Sequence, residues 1–242
     1  MNIAVIFAGG VGTRMRSKDC PKQFLEIYGK PIIIHTLDIF QQNQNIDAIV
    51  IACVEEWIPY LKELIEKFKI GKVKKIVPGG ETGQLSIYSG LLAAKDVCGN
   101  SNTIVLIHDA VRPLINSELI DRNIESVKIY GSAITAGVVK ETIVVVDDNF
   151  NILTVPDRAH SRVAKAPQSF YLKDIMDAHQ KAISQGIRDS IDSCTLMKYY
   201  GYEMTMVDGP YNNIKITTLE DFFTMRAIYE SNENLQFYLD NE

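Results

Sequence analysis

Three stretches of this chain set cations and acids at spacings that suit phosphate chemistry. The first is Ala8-Gly9-Gly10-Val11-Gly12-Thr13-Arg14-Met15, followed at short range by Pro21-Lys22-Gln23. Glycines after a strand let the backbone approach a phosphate, and successive N–H groups can hold its oxygens. Arg14 and Lys22 add charge for one triphosphate. A dinucleotide-binding turn would want G-x-G-x-x-G and lacks its third glycine here; a Walker loop would want G-K-[ST], which is absent. A turn that uses glycine only for its backbone remains the plain alternative. The second stretch is Ile107-His108-Asp109-Ala110-Val111-Arg112-Pro113. Asp109 would end a buried strand, where open α/β sheets place their chemistry, and can accept Mg²⁺ directly or through water. Arg112 can fork onto a phosphate or hydroxyls; a structural ion pair between Asp109 and Arg112 is the plain alternative. His108 reads as packed rather than catalytic, because no Ser or Cys nucleophile accompanies it. The third stretch, Asn213-Ile214-Lys215-Ile216-Thr217-Thr218, sets Lys215 between two apolar residues just before a capped helix, which would aim it inward.

The elements that must position these residues follow from the apolar pattern. Ile3 to Phe7, Ala48 to Val54, Val73 to Val77 and Thr103 to Ile107 are short continuous apolar runs, the signature of strands covered on both faces. Helical stretches at Ile32 to Gln42, Trp57 to Phe68 and Leu85 to Val97 lie between them. The alternation predicts an α/β, Rossmann-like fold, a mostly parallel sheet with helices on both faces. After Ala133 the pattern turns β-branched: Ala133 to Val139, Glu141 to Val146 and Ile152 to Val155 predict strands around an Asp147-Asp148-Asn149 turn, a hairpin arm leaving the main sheet. Ile175 to Gln185 and Ile191 to Tyr200 predict helices, and Glu203 to Val207 a late strand. Leu219 to Glu230 predicts a last helix capped by Thr217 or Thr218. Gly79-Gly80-Glu81, with Ser86 beyond, reads locally as a strand-to-helix turn with a capping acid. One domain over 1–242, with the arm at about 139–160, is the expected organisation.

Composition narrows the class. The 46% hydrophobic and 23% charged fractions are those of a soluble globular chain. A net charge of -5 without a basic cluster argues against nucleic-acid binding. The four cysteines are widely separated, which predicts reduced thiols and no zinc site. With no signal-peptide pattern and no apolar run of membrane-spanning length, the expected location is the cytoplasm.

The glycine turn with Arg14 and Pro-Lys-Gln resembles the start of sugar-phosphate nucleotidyltransferases. It is most similar to the cytidylyltransferases that make CDP-methylerythritol and CDP-ribitol, and the resemblance continues to about Asp221. It implies transfer from CTP to a polyol phosphate with release of pyrophosphate, assisted by Mg²⁺ or another divalent cation. Ribitol 5-phosphate is the favoured acceptor and 2-C-methyl-D-erythritol 4-phosphate the alternative. By the same resemblance Arg14, Lys22 and Lys215 would act on the triphosphate and transition state. Ala8, Gly9, Gly10, Gly12, Thr13, Gly80, Glu81, Ser86, Asp109 and Ala110 would hold the nucleotide. Asp109, Arg112, Thr142 and Arg158 would hold the acceptor, with Asp109 also serving the metal. The arm would cross to a second copy in a homodimer, so that Thr142 and Arg158 act in the partner's site. Ala166-Pro167-Gln168-Ser169-Phe170 departs from the family's T-P-Q-x-F at Ala166, which has no hydroxyl. Asp189-Ser190-Ile191-Asp192-Ser193 matches the related T-D-E-A-S only loosely; Asp192 there could reach substrate or simply start a helix. An ionised phosphate attacking an α-phosphorus needs charge neutralisation and alignment rather than a strong base. An NAD(P)-linked oxidoreductase and a non-catalytic nucleotide-binding protein are the readings from other classes.

Overall fold

In the computed structural model, which describes residues 1–9, 20–98 and 102–239, the first strand sorts its side chains between two layers. Ala4, Ile6 and Ala8 enter one core, and Ile3 and Val5 the other. This alternation is what a strand covered on both faces requires. Along the chain the strands are β1 (Asn2–Ala8), β2 (Glu26–Ile27), β3 (Lys30–Pro31), β4 (Ala48–Cys53), β5 (Val73–Pro78) and β6 (Ile104–Asp109). They continue with β7 (Ser132–Val138), β8 (Val145–Val146), β9 (Ile152–Thr154), β10 (Arg162–Tyr171) and β11 (Met206–Asp208). The helices are α1 (Ile32–Gln42), α2 (Ile58–Lys67), α3 (Gly83–Cys98), α4 (Ser117–Tyr130), α5 (Leu172–Ser184), α6 (Ser193–Tyr199) and α7 (Leu219–Leu239).

Seven strands form the main sheet in the order β11-β7-β10-β6-β1-β4-β5. β1 pairs in parallel with β4 and β6, β4 with β5, and β7 with β11; β10 runs antiparallel between β6 and β7. The expected mostly parallel α/β sheet is present. Helices α1, α2 and α4 cover one face through Ile33, Leu37, Phe40, Leu61, Leu119 and Ile124. Helices α3, α5 and α6 cover the other through Ile87, Leu91, Ile175, Ala178 and Leu196. Each such side chain taken fully out of water contributes about 1.5–3 kcal/mol. Because β4 and β6 lie on opposite sides of β1, the direction of winding reverses at β1/β6. The carboxyl ends of strands at such a reversal open a crevice.

Four elements go beyond the sequence expectations: the short pair β2 and β3, the long strand β10, and α4, capped by Asn116 Oδ1 accepting from Leu119 N (2.9 Å) and ended by left-handed Gly131. The late strand expected from Glu203 begins only at Met206, and the arm is corrected further. Of Glu141 to Val146 only Val145–Val146 pairs, and only with β9, so the rest of that side of the arm is irregular. The arm's turn is fixed by Asp147 Oδ1, which accepts from Asn149 N and Asn151 N (2.9 Å each). Ile143, Val144, Val145, Ile152, Leu153 and Phe150 all stand exposed along it, Phe150 at 86%. At the other end of the chain, α7 begins with a reciprocal cap. Asp221 Oδ2 accepts from Thr217 N and Thr218 N (2.8 Å each), and Thr218 Oγ1 accepts from Asp221 N (3.3 Å). Met225 then packs with Ile27, Ile32, Val111, Leu114 and Ile216, docking the C-terminal segment beside β6.

Candidate active site

Asp109, the last residue of β6, is the centre of the crevice. Lys215 Nζ approaches its Oδ1 at 2.6 Å and Arg112 Nε its Oδ2 at 2.9 Å. The Asp109 side chain is 7% exposed, Arg112 12% and Lys215 41%, so the pair is buried on one side and open to the cleft on the other. Burial alone would raise the Asp109 carboxyl, but the Lys215 and Arg112 charges outweigh it and hold it down at about 2. Backbone ties fix the two cations. Arg112 Nη1 donates to Asn213 O (3.0 Å), and Ile216 N donates to Val111 O (3.0 Å), which brings the Asn213–Thr217 run alongside residues 109–112. The buried amide of Asn213 donates to Ala166 O (2.7 Å), anchoring the same run to β10.

His108 lies wholly inside. Its Nε2 donates to Arg112 O (3.0 Å) and its ring packs edge-on against Phe40. Burial pushes the imidazole down to about 4, so it is neutral and locks the 108–112 turn, as expected of a packed residue. The Asp109–Arg112 ion pair exists. It also holds Lys215 on the cleft side, so the structural and chemical readings of Asp109 describe one arrangement.

On the β1 side of Asp109, Gly9 and Gly80 converge on Ser86. The Ser86 hydroxyl accepts from Gly80 N and donates to Gly80 O (both 3.1 Å), and a Cβ added at Gly9 would lie 2.6 Å from it. A Cβ at Gly80 would meet Leu85 at 2.4 Å, so both positions require glycine for close approach. Thr82, not Glu81, caps α3, accepting from Leu85 N (3.2 Å); Glu81 stands exposed on the bend before it. Lys22 opens a single 3-10 turn whose next residue, buried Gln23, donates to Ala8 O (2.9 Å) and so fastens Pro21-Lys22-Gln23 to the end of β1. Ala8 and Ala110 are buried, and the Ala110 backbone is tied in place: Ala110 N donates to Phe7 O (3.1 Å) and Ala110 O accepts from Thr36 Oγ1 (2.9 Å). Gly10, Gly12, Thr13 and Arg14 lie outside the described residues.

The cleft holds about 290 Å³ and is lined by Asp109, Arg112 and Lys215 with Phe7, Ile87, Lys165, Gln168 and Asp192 among others. Gln168 Nε2 donates to Asp192 Oδ2 (2.9 Å) and its Oε1 accepts from Cys194 N (2.8 Å). Asp192 also caps α6 by accepting from Thr195 N (2.7 Å), so it is both a helix-start acid and a cleft wall. Sequence reading missed Lys165; its only signal was a lysine directly before the Ala166-Pro167-Gln168 motif. Thr142 and Arg158 are exposed and do not line this cleft; Arg158 donates to Lys140 O (3.3 Å) at the base of the arm. Among the described residues no group of three or more His, Cys, Asp or Glu could hold a metal, and no helix is long and apolar enough to cross a membrane. Two acids among the described residues line the cleft, Asp109 and Asp192; of these Asp109, at the meeting of the cations, has the oxygen chemistry a hard cation takes. It is ionised, and each oxygen keeps a lone pair beyond its ion pair.

Known proteins resemble this chain in sequence and in fold. The chain is 57% identical over 238 residues to a ribitol-5-phosphate cytidylyltransferase of Streptococcus agalactiae, covering 98% of this chain and 99% of that one. It is 56% identical to one of Vibrio parahaemolyticus, over 98% and 100%. A 2-C-methyl-D-erythritol 4-phosphate cytidylyltransferase of Clostridium botulinum is 37% identical, over 95% and 97%. The crystal structure of 4-diphosphocytidyl-2C-methyl-D-erythritol synthase from Anaerococcus prevotii superposes with a TM-score of 0.82 at 28% identity, covering 95% and 96%. The family model described as 2-C-methyl-D-erythritol 4-phosphate cytidylyltransferase (IspD) matches residues 2–231, and the chain belongs to that family of cytidylyltransferases.

Proposed function

We propose that this chain joins the cytidylyl group of CTP to ribitol 5-phosphate, giving CDP-ribitol and pyrophosphate. The carrying observation is the 57% identity, end to end, with a protein of that name, against 37% for relatives named for methylerythritol phosphate. A phosphate oxygen of the acceptor attacks the α-phosphorus, and the bond to the β-phosphate breaks with its electrons leaving on pyrophosphate. Lys215 neutralises the charge that builds on the α-phosphate, with Arg14 and Lys22 on the triphosphate. Gly9 and Gly80, gathered at Ser86, let the nucleotide approach the backbone closely. Asp109 keeps Lys215 and Arg112 in place and would be the residue to hold Mg²⁺, which would supply further neutralisation of the phosphates. Arg112, with Thr142 and Arg158 from a second copy, holds the acceptor. Support for that homodimer comes from the exposed apolar arm, since an edge hairpin rich in Val and Ile invites pairing.

The test is pyrophosphate release from CTP and Mg²⁺ with ribitol 5-phosphate and 2-C-methyl-D-erythritol 4-phosphate side by side. Faster release with ribitol 5-phosphate is expected. Preference for the other acceptor would refute the acceptor assignment, and release with neither would refute the function.

A further inference from the structure

We infer that Lys165 is a substrate-binding cation of this cleft, engaging the phosphate of the acceptor. The inference rests on the cytidylyl-transfer reading above and names a residue and a subsite within it.

Sheet order divides the cleft. On the β1/β4 side of Asp109 stand the glycines gathered by Ser86, the half suited to the nucleotide. On the β10 side stand Lys165, Gln168 and Asp192. Of these three the lysine alone carries positive charge. An acceptor phosphate that must attack in line from the side opposite the leaving pyrophosphate therefore enters the half that Lys165 serves.

Local contacts hold the ammonium ready. β10 is antiparallel to β7, and a register shift between Ala164 and Gln168 releases Lys165 from regular pairing. Its stem packs over Gly137, where a Cβ would sit 3.0 Å from Lys165 Cε. Its Nζ donates to Tyr211 O (2.9 Å) and more weakly to Pro210 O (3.4 Å). That leaves one N–H for a ligand. Among the described residues no carboxylate stands within ion-pair distance of it, unlike Lys215 and Arg112, which share Asp109. Burial, with the Arg112 charge as the lesser cause, pushes Lys165 below the usual lysine range. A half-buried cation beside another cation, without a counter-charge, is stabilised by an arriving dianion.

Tyr211 links this cation to the arm. Its ring lies 3.4 Å from Lys140 Nζ, at the arm's base, and 5.6 Å from Lys165 Nζ, while its carbonyl holds the same ammonium. Tyr211 is thus a positioning residue for Lys165.

The test uses the full chain with CTP and ribitol 5-phosphate, comparing wild type with Lys165→Gln and Lys165→Arg. Glutamine removes the charge and keeps an amide N–H donor on a stem one atom shorter; arginine keeps the charge. Lys165→Gln should raise the KM for ribitol 5-phosphate roughly 10- to 100-fold, the worth of a charge-assisted hydrogen bond. The KM for CTP should stay within about twofold, and Lys165→Arg should recover most of the loss. An acceptor KM that Lys165→Gln leaves unchanged would overturn the assignment, as would equal losses in both KM values. A wild type inactive with every polyol phosphate would instead refute the cytidylyl-transfer reading. Should Lys165→Gln fail to fold, a Lys165→Arg protein whose acceptor KM falls in the range expected for loss of charge would overturn the proposal.

Discussion

Replacing Asp109 by Asn removes the counter-charge of the whole site while keeping its shape. The cost follows from the depressed carboxyl, which sits at about 2 in the folded chain against an ordinary 3.8. A group whose folded value lies below its unfolded value stabilises the fold fully above the unfolded value, and loses that contribution as pH falls through the folded one. Here the contribution is about 2 kcal/mol at neutral pH, with roughly half gone by about pH 3. Leaving the largely buried Arg112 unpaired adds to this, so Asp109→Asn should lower unfolding free energy by about 2–3 kcal/mol at neutral pH. Lys215, 41% exposed, can turn to solvent and adds little. Urea unfolding of both proteins from neutral pH down to about pH 3 reads the result, because asparagine does not titrate and the gap should narrow by about 1 kcal/mol. A gap below about 1 kcal/mol at neutral pH, or one that does not narrow, would refute the account of the cluster as a buried, charge-held carboxylate.

Gly9→Ala places a methyl against Ser86 Oγ and should weaken CTP binding at least about tenfold, with the double change Gly9→Ala, Ser86→Gly recovering part of it; unchanged CTP affinity by calorimetry would refute the close-approach argument. Thr218→Ala removes one half of the α7 cap and should cost about 1 kcal/mol by thermal unfolding. Phe150→Asp with Leu153→Asp should give a monomer by light scattering, and a dimer of unchanged affinity would remove the arm from the interface. Mixing Lys215→Ala with Arg158→Ala subunits should restore activity that neither has alone; mixed dimers without recovery would argue against a shared site.

The parallel half of the sheet was legible because β1, β4 and β6 are continuous apolar runs, and α1 because its stripe is unbroken. β10 was not, because its buried stretch holds Gln168 and Ser169. Their burial is tolerable only because Asp192, Cys194 N and Asn123 satisfy them. None of these partners is adjacent in sequence. Helix α4 hid for the same reason: Asn123 and Ser126 interrupt its apolar face, and they bond to Thr135 and Ser132 across the layer. The irregular 141–144 side of the arm shows the reverse error, since β-branched residues pair only where a partner strand exists. Asp109, Arg112 and Lys215 were found by motif, yet only the fold shows them sharing one carboxylate. Lys165 was invisible, because a lysine acquires meaning from the cleft it faces.

The tie between Arg112 and Asn213 spans 101 positions, and Lys215, two residues further on, reaches the Asp109 carboxylate that Arg112 also holds. During synthesis β1, β4, β5 and β6 emerge early and can form their nearby pairings first, since short loops close at lower entropic cost. The centre that unites the two halves of the cleft forms only once residues 213–215, which follow every strand of the main sheet in sequence, have docked. Assembly of the Asp109 centre therefore follows formation of the sheet, and a chain lacking the Asn213–Thr217 run would keep the glycine side of the cleft without Lys215.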